Sequence, residues 1–155
     1  MNSPVRILVD STFLLPTLGV KVAQISDSDL RELAKLRSRA SFVCLYQSLV
    51  EVLGKVARAD VTSDKSTLDA IEAGLRSLLE SGVYAWTSPS VAALLHALEM
   101  KRKGHRDMID NMLYATASER SMLFLSLDKD LKEFLTKNGY PTESIVDVKR
   151  LRSLL

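Results

Sequence analysis

The chain has 155 residues, enough for one domain to bury a core without disulfide or metal staples. Its 46% hydrophobic and 26% charged residues are an ordinary globular composition rather than a disordered one, and no run approaches the ~20 apolar residues of a bilayer span. A formal net charge of only +2 does not announce a polyanion binder, and one cysteine, Cys44, leaves no internal disulfide to form.

In chain order, RILVD (Arg6 to Asp10) reads as a short buried strand that stops at a carboxylate. Asp10 interrupts the first apolar stretch, which makes a poor signal peptide and leads us to expect a cytoplasmic protein. GVKVAQI (Gly19 to Ile25) is long for a connection and reads as an extra short strand or part of a lid. A polar helix follows over 29–39 behind Ser28 as N-cap. SFVCLY (Ser41 to Tyr46) is a second buried strand, in which Cys44 reads as packing rather than as a nucleophile. The helix QSLVEVLGKVARA comes next, then a helix over 66–79, the strand VYAW and a helix over 90–103. A helix over 107–119 precedes MLFLSLD, a strongly apolar strand; the short helix KDLKEFLTKNG and the strand SIVDV complete the series. Strands alternating with helices predict a parallel sheet covered on both faces, and near-continuous apolar strands fit two-sided burial.

Two strands end in aspartate, at Asp10 and Asp128, where open parallel sheets place ligand sites. Each is open to a second reading as a helix cap, Asp10 for a helix starting near Ser11 and Asp128 for KDLKEF. Glu51 shares a helix side with Gln47 and Lys55, so spacing alone favours a surface ion pair with Lys55. Asp107 and Asp110 open one helix as a cap and its partner three residues on. Asp110, however, shares a face with Leu113, Tyr114 and Ala117 that should pack on the sheet. A carboxylate aimed at a core is costly unless something positive neutralises it, and that stripe carries no lysine or arginine. A metal ion is one candidate. The basic groups Lys101, Arg102, Lys103 and Arg106, and Lys149, Arg150 and Arg152, are open to reading as phosphate contacts or as solvated helix faces.

Together these pieces resemble the PIN domain family over nearly the whole chain. The family's opening strand ending in Asp and small hydroxylated residues is matched by ILVDST, with Asp10, Ser11 and Thr12. Its helical Glu is matched in SLVEVLGK at Glu51, its Ala-rich helix opening with Asp in DNMLYATA at Asp110, and its T-x-D turn by Ser126 to Asp128. Ser126 stands for the usual threonine, Asn111 replaces a small apolar residue, and Asp107 rivals Asp110 as the third acid. The resemblance implies a single PIN-like domain over 1–155, a three-layer α/β/α sandwich whose central parallel sheet has strand order 3-2-1-4-5. It also implies a metal-dependent ribonuclease that leaves a 5′-phosphate and a 3′-hydroxyl.

Carboxylates without His or Cys suit Mg²⁺ or Mn²⁺. The resemblance makes Asp10, Asp110 and Asp128 the main ligands, Glu51 a ligand or water-positioner, and Asp107 a secondary ligand. Ser11 and Ser126 would hold carboxylates or a phosphate, and Lys101, Arg102, Lys103 and Arg106 would guide the RNA backbone. His96 and His105 lie outside the motifs and read as structural or substrate-contacting. Small family members resemble VapC toxins, so the expected partners are single-stranded RNA, an antitoxin protein and a second copy of the chain. A catalytically silent PIN domain that binds RNA or protein is the alternative. A phosphoryl-accepting α/β domain fits less well, because Thr12 stands where haloacid-dehalogenase-like enzymes need a second Asp.

Overall fold

A computed structural model describes residues 3–59 and 64–155. The apolar runs form strands β1 (Val5–Val9), β2 (Ala40–Leu45), β3 (Tyr84–Thr87), β4 (Leu123–Leu125) and β5 (Ile145–Val146). Every pairing is parallel, and the order across the sheet is β3-β2-β1-β4-β5. The expected strand order is the observed one.

Strand side chains alternate between faces, and the core divides accordingly. Ile7, Val9, Phe42 and Cys44 point to one side, where they meet α1 (Asp27–Leu36), α2 (Ser48–Arg58), α3 (Lys65–Glu80) and α7 (Val148–Leu154). Leu8, Val43, Leu45 and Phe124 point to the other, against α4 (Val91–Arg102), α5 (Met108–Glu119) and α6 (Lys129–Lys137). Ile7 and Leu8 are fully enclosed on opposite faces. Each such side chain contributes about 1.5–3 kcal/mol of burial. The result is the three-layer α/β/α sandwich. Among the described residues, no helix is long and apolar enough to cross a membrane.

One helix takes a different form from the one expected, and one was not expected. A 3-10 helix over Ser11–Leu18 follows β1, with Pro16 inside it. Its start matches the helix read near Ser11, but STFLLPTL has no 3.6-residue period to mark how far it runs. Helix α3 packs on it so closely at Gly74 that an added Cβ would lie 2.5 Å from the Thr17 carbonyl oxygen. Helix α7 is the new element: Asp147 turns out of the expected strand SIVDV and caps it, accepting from the Arg150 N–H at 2.7 Å.

Two other details differ. The cap of α1 is Ser26, not Ser28, because Asp29 reaches back to the Ser26 N–H at 2.9 Å and completes a capping box. Segment 19–25 forms no strand. Both edges of β1 are already taken by β2 and β4, so that segment turns across the rim instead.

Candidate active site

The chain reverses its direction of travel across the sheet between β1 and β4, which leaves a crevice beyond their carboxyl ends. Asp10 directly follows β1, and its N–H donates to the Leu125 carbonyl at 3.1 Å, so the ladder itself places it. Its carboxylate is only 5% exposed and caps nothing. One oxygen accepts from the Ser11 hydroxyl and the other from the Ser126 hydroxyl, both at 3.2 Å. Ser126 in turn accepts from the Asp128 N–H at 3.2 Å, tying the ends of β1 and β4 together.

Asp107 and Asp128 do cap helices. Asp107 accepts from the Asp110 N–H at 3.0 Å and Asp128 from the Leu131 N–H at 2.9 Å. Capping does not remove them from the crevice. Asp10, Glu51, Asp107, Asp110 and Asp128 all line one open pocket of about 600 Å³, together with Thr12, Lys21, Gln24 and Lys55. Four separated stretches of sequence thus deliver acids to one rim, and segment 19–25 supplies part of its wall.

The electrostatics record the crowding. Burial, then the charge of Glu51, push Asp10 up to about 6, although Ser126, Lys55 and Ser11 pull the other way. Asp110, 7% exposed, is pushed up to about 9. Burial is the main cause, followed by a side-chain hydrogen bond to Asp128 and by the charges of Asp10, Asp107 and Asp128. Glu51 bonds Lys55 Nζ through one oxygen at 2.6 Å, while its Oε2 is buried without a hydrogen-bond partner.

Lys55 corrects one expectation. The face of Asp110 has no basic residue of its own, but α2 supplies one from across the pocket. Burial lowers the Lys55 pKa, yet the Glu51 hydrogen bond and the charges of Glu51, Asp10 and Asp110 outweigh it and the net direction is up. The expected Glu51–Lys55 pair exists, but inside the pocket rather than on an open surface. Spacing showed the pair and could not show its surroundings.

The basic residues expected to guide RNA lie apart. Lys101 donates to the Arg106 carbonyl at 2.8 Å and Lys103 to the Tyr140 hydroxyl at 3.1 Å; neither they nor Arg102 line the pocket. Asn111 is fully buried and staples the preceding loop to α5, with its oxygen 2.6 Å from His105 Nδ1 and its amide donating to the His105 carbonyl at 2.9 Å. The His105 ring also lies against Phe134, and the His96 ring against Tyr114 and Tyr140. Both histidines are packed outside the acidic pocket.

The donor set matches a hard divalent ion in kind: oxygen ligands, negative charge in excess, and one buried oxygen left unpaired. The oxygens do not yet converge. Among the described residues, no three His, Cys, Asp or Glu side chains are grouped closely enough to hold an ion as they stand. Binding one requires side-chain rotation, with Asp110 releasing its proton.

A scan against protein-family models finds no match to the chain, and neither does a search of curated proteins. Solved structures do match. PAE2754 from Pyrobaculum aerophilum superposes with a TM-score of 0.63 at 16% identity, over 96% of this chain and 95% of that one. Mycobacterium tuberculosis VapC20, described as a sarcin-ricin loop cleaving toxin, gives 0.55 at 16% identity, over 82% of this chain and 93% of its own. The likeness is one of fold, and it agrees with the PIN-like architecture that the resemblance implied.

Proposed function

We propose that the chain is a single PIN-like domain acting as a metal-dependent endoribonuclease on single-stranded RNA. The supporting observation is that Asp10, Glu51, Asp110 and Asp128, from separate elements, line one pocket at the switch point of the sheet. Asp10, Asp110 and Asp128 hold Mg²⁺ or Mn²⁺, Glu51 is a ligand or aligns the water, and Asp107 contributes a secondary contact. A divalent ion bound there supplies a water of lowered pKa and offsets charge on the leaving oxygen. Ser126 keeps Asp10 and the backbone of Asp128 in register for that task. Asp110 gives up its proton as the site fills. Water adds to phosphorus while the bond to the 3′ oxygen breaks, leaving a 5′-phosphate and a 3′-hydroxyl.

The chain belongs, in this reading, to a toxin–antitoxin pair or to RNA processing. The architecture shared with VapC20 supports the first, in which an antitoxin protein and a second copy of this chain are the partners. A silent RNA- or protein-binding module is the rival, favoured by the engagement of Glu51 with Lys55 and by the unconverged oxygens.

Incubation of the purified protein with fluorescent single-stranded RNA separates the two. Cleavage with Mn²⁺ but not with EDTA, and its loss in Asp10→Asn, supports the nuclease. Intact RNA with Mn²⁺-loaded protein sinks it.

A further inference from the structure

The Lys55 ammonium lies 2.6 Å from Glu51 and feels Asp10 and Asp110, two acids from other elements. Its own helix could not have paired it with those two; the fold did. A lysine drawn into carboxylates meant for cations occupies space and charge that a metal ion would otherwise take. We infer that Lys55 stands in the place of a second divalent ion, so that the pocket binds one ion beside a built-in ammonium. This rests on the proposed metal site and specifies its stoichiometry.

Charge balance supports it. Five carboxylates line the pocket against two ammonium groups, Lys21 and Lys55, which leaves three negative charges once all the acids are ionised. One divalent ion removes two of them. A second would leave the pocket positive while Lys55 remains. With Lys55 gone, four negative charges remain, which two divalent ions match. The 2.6 Å contact points the same way, because the Glu51 oxygen that faces Lys55 cannot serve an ion in the same position.

Lys55 is therefore a positioning residue. Its ammonium fixes Glu51 and sets the number of ions, and this is testable without reference to catalysis. Titration calorimetry with Mn²⁺ on the full chain is expected to give one ion per wild-type molecule. Lys55→Met is expected to take two, and Lys55→Arg, which keeps the positive charge, to take one. Lys55→Gln provides a second neutral variant should Lys55→Met fold poorly. Two ions in the wild type, or one ion in both neutral variants, overturns the inference. So does absence of Mn²⁺ binding in every protein, which removes the metal site as well. RNA cleavage measured in parallel tells the two failures apart. Two ions with Mn²⁺-dependent cleavage ends this inference and leaves the nuclease reading intact. One ion without cleavage does the reverse.

Discussion

Helices α2 and α4 carry the same local signal, a glutamate followed four residues later by a lysine, and use it differently. Glu99 and Lys103 meet at 3.0 Å with side chains 56% and 42% exposed, and Lys103 also rests over the Tyr140 ring at 4.9 Å. Glu51 and Lys55 meet at 2.6 Å with exposures of 18% and 34%, facing Asp10 and Asp110. The first pair is surface decoration, screened by water and salt. The second is embedded among acids whose protons are held by burial and mutual repulsion. Spacing along a helix makes both pairs; only the tertiary setting separates them. The lesson extends to polar burial in general. Around α5, Asn111 is satisfied by its hydrogen bonds to His105 and locks a loop, whereas Asp110, on the same helix, is buried among other acids that push its pKa up.

The largest expected effect tests the acidic side of this contrast. Asp10→Asn should lower Mn²⁺-dependent RNA cleavage by about 10²–10³-fold, the loss typical of removing one electrostatic stabiliser. A variant that retains wild-type cleavage rates would disconnect the pocket from the chemistry.

Stability against pH comes next. Asp110 holds its proton up to about 9 and Asp10 to about 6 in the fold, against 3.8 when unfolded. Between those limits the folded state binds more protons than the unfolded one, so metal-free stability falls as pH rises. The melting temperature in EDTA should decline steadily from pH 5 to pH 8.5, and Asp110→Asn should flatten most of that decline. A melting temperature that climbs over this range in the wild type contradicts the crowding of the acids.

Lys55→Met, assayed in EDTA at pH 8, should melt about 2–4 °C below wild type, the shift ~1 kcal/mol produces in a chain of this size. The deficit should shrink at pH 5, where Asp110 and most of Asp10 are neutral, and shrink again with Mn²⁺. The smallest effect belongs to Lys103→Met, whose melting temperature should match wild type at both pH values. Equal behaviour of the two variants would erase the distinction between the helices.

Much of this was legible in the residues. Apolar runs bounded by turn residues located the strands, and four acids in order marked the rim. What was hidden had a physical cause in each case. The 3-10 helix of Ser11–Leu18 has no period to show its extent beyond its start, and α7 has only Val148 and Leu151 to bury. Asp10 and Asp128 could both be read as caps; Asp128 is one and Asp10 is not, because its carboxylate is taken by Ser11 and Ser126. The cation facing Asp110 was invisible because it arrives from α2, nowhere near Asp110 in the sequence.

The central claim is that these acids form a cation site, and anomalous diffraction from a crystal of the protein soaked in Mn²⁺ tests it most directly. The account predicts a manganese peak within bonding distance of Asp10, Asp110 and Asp128, with Lys55 alongside the ion. Manganese bound elsewhere, with Lys55 and the acids arranged as in the metal-free chain, would contradict it.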